Sequence, residues 1–352
     1  MKKQFWNRSS LVIGALAAML TACSPENMQQ MQELAEQGQE AVKKGQEAVK
    51  QAEKLASQVK DAADQAKQFV DRVQGTQQEA AGNPDTSGEQ MQEDGQPQIP
   101  AEGSSFEVHY IDVGQADAAL VLCDGQSMLI DGGNREDSSL IYTYLSDMNL
   151  DYIVCTHAHE DHVGGLAGAL NAAKADTAFS PVTEYDSKVF QSFKKYLAEQ
   201  DTELTVPETG DTYALGSAQE QVLGPVQTEH VTETNNTSIV LKVEYGETSV
   251  LFTGDAEREE EQDILEAGFD VACTVLKVGH HGGESSTSYR VLREAAPEYA
   301  VISVGEGNQY GHPTEEVLSR LRDADVEVYR TDEMGDIICS SDGKEVSFRT
   351  ER

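Results

Sequence analysis

The sequence predicts an α/β fold over residues 105–352, with two β-sheets packed face to face and helices covering their outer faces. Three observations predict it. Short apolar runs suited to strands recur at 106–113, 118–123, 127–131, 152–155, 221–223, 238–244, 248–253, 274–278, 299–303 and 326–329. Longer runs of helical character lie among them, near 137–148, 163–173, 187–199, 257–267, 288–295 and 314–323. Short strands in two series with interspersed helices fit two sheets, each burying one face on the other and one under helices. Finally, the residues before 105 have a different composition, so the folded unit is expected to begin there.

The chain opens with Met1-Lys2-Lys3, a basic-polar run to Arg8 and an apolar run at 11–20, followed by Leu20-Thr21-Ala22-Cys23. This basic, apolar, small-residue order is that of a secretory signal, too short to remain as a membrane span. The Leu-x-Ala-Cys ending resembles a bacterial lipobox. It implies cleavage after residue 22, lipidation of Cys23 and anchoring to the outer face of the cell membrane.

Residues 23–74 are expected to form a helical stalk. Gly38-Gln39-Glu40-Ala41-Val42-Lys43 recurs as Gly45-Gln46-Glu47-Ala48-Val49-Lys50. The seven-residue period places Ala35, Val42, Val49, Ala56, Ala63 and Val70 on one row, a heptad stripe able to self-associate weakly. Residues 75–104, rich in Gly, Pro, Gln and Ser, are expected to be a disordered linker.

Within the folded unit, Thr156-His157-Ala158-His159-Glu160-Asp161-His162-Val163-Gly164-Gly165 carries the most chemistry. Three imidazoles and the carboxylates of Glu160 and Asp161 within six residues follow an apolar strand, which delivers them to a cleft at the sheet's edge. Neutral imidazole suits zinc, iron or manganese, and an added carboxylate favours a divalent or paired site.

The H-x-H-x-D-H-x-G-G segment resembles the signature of the metallo-β-lactamase superfamily. The resemblance implies an αββα sandwich with metal at one edge of the two sheets. In it His157 and His159 would hold one metal and Asp161 and His162 a second. Asp255, closing Leu251-Phe252-Thr253-Gly254-Asp255, would bridge them. A carboxylate between two cations neutralises charge and fixes the separation that a shared water or hydroxide needs.

Further motifs are similar to the hydrolase domain of ComEC-type competence proteins and follow in the same order. They are Phe106-Glu107-Val108-His109-Tyr110-Ile111-Asp112-Val113-Gly114-Gln115-Ala116-Asp117-Ala118, Met128-Leu129-Ile130-Asp131-Gly132-Gly133, Asn235-Asn236-Thr237-Ser238-Ile239-Val240-Leu241, Leu276-Lys277-Val278-Gly279-His280-His281-Gly282 and Asn308-Gln309-Tyr310-Gly311-His312-Pro313. Ala116 departs from the family, which has Gly there. The chain shows no polytopic membrane region, so only the hydrolase module is expected and DNA import is not.

The third ligand of the first metal is contested between His230 and His280. If the strand at 274–278 continues, Leu276, Val278 and His280 share its inward face while Lys277 and His281 point away. That favours His280, and the competence-type motif agrees. His230, in a Thr/Glu/Asn-rich stretch, then reads as a solvated loop residue. His312 is presented by Gly311 and Pro313 at a loop and is expected to join Asp161 and His162. Asp131 and Asp112 are expected to brace ligands from behind. His109, inside the first strand, reads as structural. Asp161 and Asp255 would orient the attacking oxygen, and His281, or a backbone amide of the Gly282-Gly283 turn, would donate to the leaving oxygen.

The expected activity is therefore that of a hydrolase using two divalent metal ions, zinc or manganese, on a phosphodiester. A carboxylic ester, lactone or β-lactam is the second reading, and a non-catalytic surface binding protein the third. Composition narrows the substrate. The formal charge is −36 overall, and residues 101–352 alone hold 16 Lys+Arg against 48 Asp+Glu. A long polyanion such as DNA binds by releasing counterions to basic side chains, and this domain offers few. The four cysteines outside the leader, Cys123, Cys155, Cys273 and Cys339, lie in apolar runs at unrelated spacings and read as buried small hydrophobes.

Overall fold

A computed structural model describes residues 100, 103–146, 148–227 and 233–352, all within the unit Asp85–Arg352. Cys23 and the expected lipidation there, the expected stalk, nearly all of the expected linker and His230 lie outside the described residues.

Strand alternation builds the first sheet. In β1 (Phe106–Tyr110), Phe106, Val108 and Tyr110 face the second sheet while Glu107 and His109 face outward. β2 (Ala119–Cys123), β3 (Gln126–Ile130), β4 (Leu150–Val154), β5 (Ala175–Phe179) and β6 (Leu204–Thr205) extend the sheet on one side of β1. β14 (Ile337–Ser341) and β15 (Val346–Thr350) extend it on the other, in the order β15-β14-β1-β2-β3-β4-β5-β6.

The second sheet has the order β13-β12-β11-β10-β9-β8-β7. Its strands are β7 (Thr212–Leu215), β8 (Ala218–Gly224), β9 (Val240–Tyr245), β10 (Thr248–Phe252), β11 (Val275–Lys277), β12 (Tyr299–Ile302) and β13 (Glu327–Arg330). β10, β11, β12 and β13 run parallel, so their C-terminal ends lie side by side.

Three apolar layers follow. One lies between the sheets, with Tyr110, Met128, Val222, Phe252 and Val275 at its centre. A second lies outside the first sheet, under α1 (Ser138–Tyr144), α3 (Leu166–Ala172) and α4 (Lys188–Glu199). The third lies outside the second sheet, under α5 (Arg258–Ala267), α6 (Tyr289–Ala295) and α7 (Glu315–Asp323). Here α2 is the single turn Glu160–Val163 and α8 the turn Thr331–Met334.

Local chemistry sets the helix starts. Ser187, Ser288 and Thr314 each accept from a main-chain N–H in the first turn of α4, α6 and α7, at 3.2, 3.3 and 3.4 Å. Val189, Phe190, Phe193 and Leu197 then form the stripe that α4 buries. The expected αββα sandwich is thus the fold observed.

Differences from the sequence expectation are local. β5, β6, β7, β14 and β15 had no counterpart among the expected strands. The helix expected at 163–173 is split by Gly164-Gly165 into α2 and α3. These glycines lie against the loop after β3, and a Cβ on Gly165 would fall 1.9 Å from the Gly132 carbonyl oxygen. No helix among the described residues is long and apolar enough to cross a membrane. Cys123, Cys155, Cys273 and Cys339 are buried free thiols, as their apolar surroundings required.

Candidate metal centre

The centre forms where strand ends of both sheets meet. β4 ends at Val154, and the chain turns through Cys155 and Thr156 to present His157. His159 is the N-cap of α2, which carries Asp161 and His162 in its one turn. From the second sheet, β10 ends at Phe252, and Thr253-Gly254 turn sharply into Asp255. Gly254 has φ +50, and a Cβ there would lie 3.0 Å from the Ser238 side chain. Ser238 Oγ in turn accepts from the Asp255 N–H at 3.1 Å and fixes that turn.

Asp255 is the hub. Its Oδ1 lies 3.3 Å from His162 Nε2. Its Oδ2 lies 3.8 Å from both His157 Nε2 and His280 Nε2, and 3.9 Å from His281 Nε2. Asp161 Oδ2 is 3.4 Å from His281 Nε2, and His159 Nδ1 is 3.0 Å from His157 Nε2. His157, His162 and Asp255 offer donor atoms within 4.8 Å of one another, as do Asp161, His162 and His281.

These donors fit a divalent cation. His162 Nε2, His281 Nε2 and Asp255 Oδ1 are buried without hydrogen-bond partners, although buried polar atoms are normally satisfied. A cation among them supplies the missing partner. The outer nitrogens are already occupied. His162 Nδ1 lies 2.8 Å from Asp131 Oδ2, and Asp131 also accepts from the Thr156 N–H and hydroxyl at 2.8 and 2.7 Å. His281 Nδ1 donates to the Ser303 carbonyl at 3.0 Å and lies 3.1 Å from Asp117 Oδ1. An acceptor at Nδ1 places the proton there and leaves the Nε2 lone pair for metal. His280 Nδ1 is similarly flanked by Ser285 Oγ at 3.2 Å and Glu257 Oε1 at 3.5 Å.

The charges in the cluster hold one another. Burial pushes the Asp255 carboxyl up, but the His162 and His281 imidazoles outweigh it and hold it well below the usual carboxylate range. Asp161 is likewise held at about 2, burial being outweighed by its contact with His281 and by the charge of His162. For His281, burial lowers the pKa, but Asp117 and Asp255 raise it to about 10.

Several expectations are corrected. β11 stops at Lys277, and His280 and His281 both adopt left-handed backbone with φ 51 and φ 52, so strand alternation does not govern them. His281 does not face away from the site. It is the more buried of the pair: its Nδ1 donates to the Ser303 carbonyl beside Asp117, and its Nε2 faces Asp161 and Asp255 at 3.4 and 3.9 Å.

His312 is not among the donors that converge with Asp161 and His162, a place His281 takes. Its ring lies 5.5 Å from that of His280, and its Nδ1 is buried without a partner. Asp112 braces no ligand, because its carboxylate accepts from the Gly114 N–H and pairs with Arg352 at 2.7 Å. Asp117, five residues on, takes that place, and its only sequence signal was membership of the motif that begins at Phe106. Asp131 stands where expected, and His109 is structural, with its Nδ1 2.7 Å from Tyr144 Oη.

Comparison with known proteins places the chain. Residues 111–306 match the metallo-beta-lactamase superfamily. The chain belongs to that superfamily. Among metallo-beta-lactamase relatives, ComE operon protein 3 of Bacillus subtilis is 33% identical over 263 residues, covering 68% of this chain and 33% of that protein. Recombination protein 2 of Haemophilus influenzae is 31% identical over 225 residues, covering 62% of this chain and 26% of that protein. A ribonuclease Z of Methanococcus aeolicus is 36% identical over 62 residues, 18% of this chain and 19% of its own length. The chain therefore spans about a third or less of the relatives it matches. As a member of this superfamily with a converging His/Asp cluster, the chain has the donor set of a site for divalent metal.

Proposed function

We propose that the chain is a phosphodiesterase that holds two divalent cations, manganese or zinc. The observation that carries this reading is the placement of Asp255 between two sets of donors, His157 and His280 at 3.8 Å on one side and His162 and His281 at 3.3 and 3.9 Å on the other. His157, His159 and His280 would hold the first cation, and Asp161, His162 and His281 the second, with Asp255 between them. Bound there, two divalent cations supply an activated water and stabilise charge developing on the phosphoryl oxygens.

The protein's own groups set the geometry. Asp131 and Ser303 fix the tautomers of His162 and His281, so that Nε2 of each faces inward. Gly254 and Ser238 fix the turn that aims Asp255. The phosphodiester reading is supported by the short stretch similar to a ribonuclease Z and by the competence-type relatives. The acidity of residues 101–352 favours a short diester over a long polyanion. The Leu20-Thr21-Ala22-Cys23 motif supports anchoring of the enzyme by lipid on the outer face of the membrane.

The test is a substrate panel on the manganese- or zinc-loaded protein: bis-p-nitrophenyl phosphate, a dinucleotide, a p-nitrophenyl carboxylic ester and a β-lactam. The proposal expects turnover of the diesters. Hydrolysis of the carboxylic ester or lactam alone refutes it.

A further inference from the structure

We infer that Lys277 and Asp117 form a positioning pair for the second metal subsite, a buried ion pair joining the two sheets that fixes His281 and balances the carboxylates behind the ligands. The inference rests on the dinuclear reading above and adds to it Lys277 and the pairing of Lys277 with Asp117.

Lys277 is the last residue of β11 and shares the inter-sheet face with Val275. Its ammonium is taken almost wholly from water, with 4% of the side chain exposed. Nζ lies 2.8 Å from Asp117 Oδ2 and donates to the Val278 carbonyl at 3.1 Å. Asp117 comes from the other sheet, in the connection between β1 and β2, and its other oxygen lies 3.1 Å from His281 Nδ1, holding by charge an imidazole whose Nδ1 hydrogen goes to the Ser303 carbonyl. Its main chain is committed to the same place, since its N–H donates to the Asp161 carbonyl at 3.1 Å and its carbonyl accepts from Gly133 at 2.8 Å. Asp117 therefore touches two of the three residues that would hold the second cation.

A small cavity behind the site is lined by Lys277, Asp117, Asp131 and Thr156. Asp117 braces His281 and Asp131 braces His162, so both bracing carboxylates and the one lysine face a common space. The lysine supplies fixed positive charge on the side away from the metals. Without the lysine, two buried carboxylates would stand behind the ligands with no fixed positive charge between them.

Stability alone does not account for the pair. Replacing a buried ion pair by well-packed apolar side chains is often neutral or stabilising, whereas removing one partner strands a buried charge. A positioning role and a purely structural role therefore predict different results for the double replacement.

The experiment uses the full chain and reads metal rather than turnover. Manganese is titrated calorimetrically into chelator-stripped wild type, Asp117→Asn, Lys277→Met and the double variant Asp117→Leu/Lys277→Met. Thermal unfolding of each is followed in chelator. The pair predicts that every variant loses affinity for the second cation by about 10- to 100-fold while the first step stays within about twofold. It also predicts that the double variant unfolds at or above the wild-type temperature.

Unchanged affinity for both cations in a folded variant overturns the inference. So does parallel weakening of both steps with a lowered unfolding temperature in the double variant, the signature of a merely structural pair. If a single variant fails to fold, the double variant, which leaves neither charge unpaired, decides. A wild type that binds only one cation refutes the dinuclear reading itself.

Discussion

Asp131 Oδ2 lies 2.8 Å from His162 Nδ1, while the same carboxylate takes the N–H and hydroxyl of Thr156, the residue that leads into the metal-binding loop. One acidic side chain thereby sets both the tautomer of an imidazole and the path of the loop that carries it. Asp131→Asn keeps the shape but removes the charge that favours an Nδ1 proton on His162. Metal affinity is expected to fall by about 10- to 100-fold with the fold retained, as measured by calorimetric titration and circular dichroism.

The Gly164-Gly165 step brings α2 and α3 onto the loop after β3. Gly165→Ala puts a methyl carbon into the Gly132 carbonyl, so backbone must move in the turn that carries Asp161 and His162. Expected outcomes are a lower unfolding temperature and weakened metal binding together, checked by thermal melts with and without manganese.

His280 and His230 are separated by substitution. His280 Nε2 lies 3.8 Å from Asp255, so His280→Ala is expected to weaken the first cation by at least about tenfold. His230→Ala is expected to leave both binding steps within about twofold. Calorimetric titration of the two variants checks this, and the reverse pattern moves the third ligand to His230.

Much of the site could be read from the sequence because its chemistry is concentrated in short runs. The H-x-H-x-D-H segment, the Thr253-Gly254-Asp255 turn and Asp131 at the end of β3 each follow an apolar strand, and a strand end fixes where a side chain goes. The errors came where regular structure stops. Strand alternation does not reach His280 and His281, because β11 ends three residues before His280 and left-handed residues leave no periodic trace. Asp112 and Asp117 both follow β1, which ends at Tyr110, and no pattern says which of them reaches the second sheet.

A second electrostatic feature lies away from the candidate metal centre. Glu220 on β8 is buried, with both carboxylate oxygens lacking hydrogen-bond partners, and burial raises its pKa to about 7 from 4.5. Because the folded pKa is the higher, the group costs no stability below about pH 4.5, and the cost grows until the folded pKa near 7 is passed. Glu220→Met is expected to raise the unfolding temperature at pH 8, by an amount on the order of 2–3 kcal/mol in stability, and to have a much smaller effect at pH 4.5. Thermal melts at the two pH values check the sign.

The central claim is that Asp255 bridges two cations in a phosphodiesterase. Its most direct test counts manganese per chain and measures bis-p-nitrophenyl phosphate turnover in wild type and in Asp255→Ala. The account predicts two cations and diester turnover in wild type, with turnover reduced at least about a hundredfold in a folded Asp255→Ala. A wild type holding one cation or none, or an Asp255→Ala variant that turns over the diester at the wild-type rate, contradicts it.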